Sequence, residues 1–249
     1  MHTSPEDTTI HGPRYPLVEL RQYTLHPGQR DTLISLFERE FVLSQEALGM
    51  AVMAQFRDLD NPDRFVWLRG FAAMPARAEA LAAFYGGPVW QAHRAAANAT
   101  MIDSDDVLLL RPAPRHAALP IESWQRSSAA PRGALLALIL STKTAAEPTE
   151  VEAFIQRMAP LLAAQGGVFA GCYVTEPAPN NFPRLPVREG EHTIVWLARF
   201  TQFEALQAMA AHCESLAAPR ATGDCDALLA TLRTPPLVLK LAPTTQSRF

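Results

Sequence analysis

In the segment LVELRQYTL, residues 17–25, Glu19, Arg21 and Tyr23 occupy alternate positions, so a strand there places a carboxylate, a guanidinium and a phenol on one face. Two later segments, MAVMAQFR and RFVWLRGF, add Gln55 and Arg57 and then Trp67 and Arg69 in the same alternation. Three arginines beside a tyrosine suit a site that holds a carboxylate or enolate oxygen, because guanidinium offers paired N–H donors to a planar anion. In that chemistry Arg21, Arg57 and Arg69 grip the oxyanion while Tyr23, Glu19 or His93 moves the proton. His93, on PVWQAHRAAANATM, titrates in the range a general base needs, and Asn98 on the same segment is a further binding candidate. The bland reading stands beside this one: Glu19, Arg21, Arg57 and Arg69 as an ion-pair network that only joins two layers.

The elements that carry these residues occur twice. FVWLRGF at 65–71 has a near twin, IVWLARF, at 194–200, and the same offset of 129 takes LLLRPAP (108–114) onto LVLKLAP (237–243). Upstream, an offset of 118 aligns Leu33, Leu36 and Phe37 with Val151, Phe154 and Ile155, so the second copy is eleven residues longer in between. The gain falls where DLDNPD (58–63) becomes EPAPNNFPRLPVREGEH (176–192), whose prolines and asparagines belong in a loop. It reads as a solvated insertion, with a lid or a dimer contact as other roles.

Alternating apolar strands and helix-spaced apolar runs give each copy the order β-α-β-β-α-β, with PVWQAHRAAANA as an extra helix in the first. The expected fold class is α+β: two tandem ferredoxin-like units whose antiparallel sheets pack face to face as a barrel within one chain. The expected organisation is a flexible arm over 1–16, a first unit over 17–112, a linker over 113–133, a degenerate second unit over 134–243 and a tail over 244–249. Val18, Leu20, Val52, Ala54, Val66, Leu68, Leu108 and Leu110 form an apolar set expected to pack under the helices. The alternate set, with Glu19, Arg21, Tyr23, Gln55, Arg57, Trp67 and Arg69, is then expected to line the barrel interior. In the second copy the matching positions are Ala137, Ile139, Ser141, Tyr173, Thr175, Trp196 and Ala198, so the charges vanish and the tryptophan stays. Trp67 and Trp196 read as shared wall residues, with Tyr173 beside them. The charges of the first copy point to one asymmetric site.

Composition excludes several classes. The formal net charge is −3 and no basic run occurs, which removes the electrostatic footprint of a nucleic-acid binder. No apolar stretch is long enough for a membrane span and the opening residues lack a signal-peptide core, so a cytoplasmic location is expected. Cys172, Cys213 and Cys225 have no CxxC spacing and read as buried free thiols. The dinucleotide, P-loop, zincin and nucleophile-elbow motifs are absent, and no metal or organic cofactor is expected. Haem is a minor alternative that would need His93 or His212 as its axial ligand.

At VELRQYTLHPGQRDTLISLFE, FRDLDNPDRFVWLRGF, AFYGGPVWQAH and ATMIDSDDVLLLRP, the sequence resembles the NIPSNAP family and, more loosely, the dimeric α/β-barrel superfamily. The resemblance covers about residues 17 to 112, and the second half matches only as a degenerate unit. It implies the barrel reached above. It does not imply one reaction, because the wider superfamily spans cofactor-independent monooxygenases, muconolactone isomerases, aldoxime dehydratases and haem-dependent chlorite dismutases. The expectation is therefore a barrel that binds a small carbonyl-, phenol- or carboxylate-bearing metabolite, as a cofactor-independent monooxygenase, isomerase or dehydratase-like enzyme. The alternative is a non-catalytic ligand-binding or protein-interaction scaffold. A homodimer is a further expectation.

Overall fold

A computed structural model describes residues 14–114, 116, 133–217 and 227–249. Most of the expected N-terminal arm and linker, together with Cys225, lie outside the described residues. The first half runs β1 (Leu17–Leu25), α1 (Arg30–Leu36), a π-helical turn (Phe37–Phe41), α2 (Val42–Glu46), β2 (Ala51–Asp58), β3 (Arg64–Phe71), α3 (Met74–Gly86), α4 (Pro88–Asn98) and β4 (Met101–Pro112). The second runs β5 (Ala134–Thr142), α5 (Pro148–Ala164), β6 (Val168–Thr175), β7 (His192–Phe200), α6 (Phe203–Glu214), α7 (Ala227–Ala230) and β8 (Leu237–Pro243). Proline in the first turn of α3, α4 and α5 sets φ where no N–H partner is needed. Gly166, at φ 69°, ends α5 in a left-handed conformation that a β-carbon would strain.

The strands close an antiparallel barrel in the order β1-β3-β2-β8-β5-β7-β6-β4. Each half contributes four neighbouring strands in the same internal order, β4-β1-β3-β2 and β8-β5-β7-β6. The halves join at two seams, β2 with β8 (Phe56 opposite Pro243) and β4 with β6 (Leu110 opposite Thr175). Closure gives every described strand a neighbour on each side.

The face assignment expected from alternation is inverted. Val18, Leu20, Ala54, Val66, Leu68, Leu108 and Leu110 meet Leu135, Ala137, Val195, Leu197 and Leu239 of the other half in one cluster, which fills the barrel interior. Tyr23 and Trp67 instead pack with Leu33, Phe37, Phe41, Leu81 and Phe84 under the first half's helices. Val52 joins that outer cluster too, because a bulge between Val52 and Ala54 shifts the alternation of β2. The physical reason is space. An eight-stranded barrel has room for side chains alone, so apolar groups fill it, whereas helices can bring polar partners to charges on the outer face.

Candidate functional site

Glu19 is the centre of a buried charge cluster on the outer face of the first sheet. Its Oε2 accepts from Arg21 Nη1 at 2.8 Å and from Arg69 Nη2 and Nε at 2.6 and 3.1 Å, and its Oε1 accepts from Arg77 Nε at 2.7 Å. All four side chains are 0% exposed. The register between β1 and β3 sets Glu19 directly opposite Arg69 and Arg21 opposite Trp67. Arg77 descends from α3 on the face that also buries Ala80, Leu81 and Phe84.

Each guanidinium also donates to neutral oxygens. Arg21 Nε donates to the Tyr23 hydroxyl at 3.1 Å and Arg21 Nη2 to the Ser104 carbonyl at 3.4 Å. Arg69 Nη1 donates to Gln45 Oε1 at 2.9 Å, and Arg77 Nη1 to Asn180 Oδ1 and Asn181 Oδ1 at 3.0 and 2.8 Å. One carboxylate thus balances three guanidiniums, and Nη2 of Arg77 has no partner among the described residues. The cluster carries a buried positive excess.

The electrostatics follow from that count. Burial alone would raise the Glu19 carboxyl, but the Arg69, Arg21 and Arg77 guanidiniums override it and hold the group far below the usual carboxylate range. Arg21 is shifted upward: burial opposes its charge, and Tyr23 and Glu19 outweigh burial. Burial raises the Tyr23 hydroxyl above the ordinary phenol value although Arg21 pulls it down. Tyr23 is therefore a neutral phenol whose oxygen accepts from Arg21, while its proton meets no acceptor among the described residues.

Tyr23 lines two adjoining cavities. A small inner pocket of about 30 Å³ is walled by Phe37, Phe41, Trp67, Phe84 and Trp90. An outer one of about 200 Å³ shares Tyr23, Tyr85, Trp90 and Met101 with it and adds Asn98, Ser104, Phe182, Arg184 and Leu185. Leu33, Phe37, Phe41 and Gln45 all reach the inner pocket from one helical segment. Residues four apart drift by about 40° per step around an α-helix. The wider π turn over Phe37–Phe41 reduces that drift and keeps the four in line. Gln45 Nε2 binds the Phe41 carbonyl at 3.0 Å, which fixes the amide whose oxygen receives Arg69.

Of the residues singled out in the sequence, Glu19, Arg21, Tyr23, Trp67 and Arg69 come together, and Asn98 joins them at the outer pocket. Arg57 does not: it pairs with Asp31 at the surface, at 2.8 Å. Its place in the cluster is taken by Arg77. His93 sits outside both pockets, its Nε2 3.5 Å from Glu40 Oε2 and its ring against Phe41. Gln55 is fully buried on β2 beside the C-terminal segment, where Thr244 N donates to its carbonyl, and lines neither pocket. Tyr173 lies in the barrel interior and Trp196 under the second half's helices, because β6 and β7 turn those positions to opposite faces. Neither reaches Tyr23's cavity. His212 stands in the last turn of α6, also in the second half.

Arg77 and Gln45 were not singled out in the sequence, and the 177–191 loop was expected to be a solvated insertion. Arg77 had a signal: it shares helical spacing with Ala80, Leu81 and Phe84, so a cation falls on an apolar stripe. The loop had none. Rather than standing in solvent, it crosses from the second half onto the first, where Phe182 stacks on Tyr85 with ring centres 6.1 Å apart and Asn181 Nδ2 donates to the Met74 carbonyl. A larger cavity of about 430 Å³ lies on the far side of this loop, bounded by Val174, Ile194 and Ala146, but contains no buried charge cluster. Among the described residues, no group of three or more His, Cys, Asp or Glu side chains is placed to hold a metal ion, and no helix is long and apolar enough to cross a membrane.

The NIPSNAP family model matches residues 18–116. Among solved structures, a protein named anthrone oxidase-like is 10% identical, with 95% of each chain covered and a TM-score of 0.56. A Lactobacillus acidophilus protein described provisionally as a monooxygenase is 14% identical, with 94% of this chain and 97% of that one covered and a TM-score of 0.52. At such identities the likeness is one of fold. An uncharacterised NIPSNAP domain protein from Burkholderia xenovorans is 18% identical over 40% of this chain and 96% of its own, with a TM-score of 0.37. No curated protein matches the sequence.

Proposed function

We propose that the protein binds a small phenol or enolisable carbonyl compound, its oxygen at Tyr23, in the aromatic cavity that lies against the half matched by the NIPSNAP family model. The two halves are read as tandem ferredoxin-like units, which within one chain supply the two sheets of a dimeric barrel. The observation that carries the reading is the Tyr23 hydroxyl: it closes an aromatic-walled cavity, accepts from Arg21, and keeps its own proton free for a ligand oxygen. A phenol that accepts from a guanidinium is polarised and donates more strongly. The buried excess of positive charge behind it favours the ionised form of the ligand and so lowers the pKa of a bound phenol or enol. A cavity of about 200 Å³ is somewhat larger than the roughly 150 Å³ that accommodates one benzene ring, so a substituted ring or a small fused pair is the natural occupant.

The reaction class in keeping with the barrel neighbours named monooxygenase and anthrone oxidase-like is oxygenation of an electron-rich carbon without a resident cofactor. An activated methylene and one O₂ give a carbonyl and one water, with the substrate's own enolate or phenolate supplying the electrons. In this role Tyr23, polarised by Arg21, holds the developing oxyanion. Glu19 is no base, since three guanidiniums saturate its carboxylate, and the substrate, its pKa lowered by the same cations, gives its proton to water at the cavity mouth.

The test is a panel of one- and two-ring phenols and anthrone-type ketones, followed by calorimetric binding and oxygen uptake. Binding that weakens at least about ten-fold in Tyr23→Phe is expected, from the loss of one hydrogen bond to a charged oxygen. Absence of binding across the panel, or binding indifferent to Tyr23→Phe, would refute the site. Binding without oxygen uptake would leave the non-catalytic alternative.

A further inference from the structure

The outer end of the same cavity carries a second cation, and it comes from the other half of the chain. Arg184 lines the 200 Å³ pocket between Phe182 and Leu185 and is exposed at its mouth, whereas Tyr23 is buried at its floor. Arg57, Arg64 and Arg188 all pair with carboxylates, at 2.5 to 3.3 Å. Arg184 makes no ion pair among the described residues.

Its position is also fixed. Phe182-Pro183-Arg184-Leu185 is a tight turn closed by Leu185 N donating to the Phe182 carbonyl at 3.0 Å, with proline at the position that pre-sets φ. Asn180 clamps the turn from below: its Nδ2 donates to the Leu185 carbonyl at 3.0 Å and its Oδ1 accepts from Phe182 N at 3.1 Å. That same Oδ1 receives Arg77 Nη1, so the turn is tied to the buried cluster. Further along, Arg188 N donates to the Val107 carbonyl at 2.8 Å, anchoring the loop on β4. A cation held over the mouth of an aromatic cavity, on a turn already ordered without ligand, costs little to engage.

We infer that the preferred ligand is an aromatic hydroxy acid: its hydroxyl at Tyr23, its ring between the aromatic walls, and a carboxylate on the outward side of the ring at Arg184. This rests on the reading of the cavity given above and adds to it the charge of the ligand. Guanidinium pairs with a carboxylate through two parallel N–H donors, a match that a neutral amide of the same shape does not offer. The insertion that lengthens the second unit thereby becomes a specificity element of the first.

The experiment compares phenol, 4-hydroxybenzoate, 4-hydroxybenzamide and 4-(aminomethyl)phenol by calorimetry on the wild-type protein, Arg184→Gln and Arg184→Glu. Expected is a roughly five-fold advantage of the acid over the amide, the scale of one partly exposed ion pair, shrinking as salt is raised. Arg184→Gln removes that advantage and leaves the affinity for the amide unchanged, and Arg184→Glu turns the preference toward the aminomethyl compound. Equal affinity of acid and amide for the wild-type protein, or an advantage that survives Arg184→Gln, overturns the inference while phenol binding keeps the cavity reading alive. If phenol itself and all three derivatives fail to bind, the cavity reading falls and this inference falls with it.

Discussion

Glu19→Gln takes the one carboxylate out of a cluster of three buried guanidiniums, and its cost can be worked from the contacts. The glutamate accepts four hydrogen bonds, at 2.6 to 3.1 Å, from Arg21, Arg69 and Arg77. The neutral amide preserves the shape, but one of its two heteroatoms is a donor facing donors, and no charge remains to offset the three cations. Breaking a buried pair by removing one partner costs about 3–5 kcal/mol. With three guanidiniums sharing the loss, about 4 kcal/mol is expected, a large part of the roughly 5–15 kcal/mol that keeps a domain folded. For a chain of this size that corresponds to a fall of about 10 °C in Tm. Urea unfolding followed by circular dichroism measures it, with an unchanged slope indicating that the denatured state is unaffected.

The pH dependence of the same variant is a second check. In the unfolded chain the carboxyl titrates near 4.5, and in the folded one far lower. A depressed folded pKa means that the stabilisation is complete above the unfolded value and is lost as pH falls below it. The gap between wild type and Glu19→Gln should thus be flat from about pH 7 to pH 5 and narrow below about 4.5. A loss under about 1 kcal/mol at pH 7, or a gap that widens in acid, would refute the view that this carboxylate neutralises the cluster.

Three further outcomes follow from the same geometry. Arg57→Ala removes only the half-exposed pair with Asp31 and should cost about 0.5 kcal/mol or less, with ligand affinity unchanged in calorimetry. His93→Ala should leave ligand binding and any oxygen uptake within about two-fold, because the ring stands outside the cavity beside Glu40; a larger loss would restore it as a base. Burial pushes the Cys172 and Cys213 thiols up to about 12, so a thiolate-specific reagent at pH 8 should leave both unmodified until the protein is unfolded, as peptide mapping would read.

Much of this molecule is written locally. The twin segments FVWLRGF and IVWLARF, the constant offset and the alternation of each strand make the alternating strands and helices of both halves legible, and the alternation of Glu19, Arg21 and Tyr23 with the matching positions of β3 sets them on one face. Alternation separates two faces but carries no sign for which meets the helices. Both faces of this sheet are buried, so polarity alone could not choose, and the choice fell to barrel closure, whose narrow interior takes only the apolar set. Arg77 was half legible, as a cation on an apolar helical stripe; its partner Glu19, 58 residues away, was not. Arg57 and Arg69 look equivalent in the chain, yet the pairing register sets only Arg69 across from Glu19, while Arg57 reaches Asp31 at the rim. The loop over 177–191 reads as turn chemistry, which leaves a solvated insertion, a lid and a dimer contact equally compatible with it. That Phe182 and Arg184 close the first unit's cavity depends on two seams between β2 and β8 and between β4 and β6, contacts between residues far apart in the chain that no local pattern encodes.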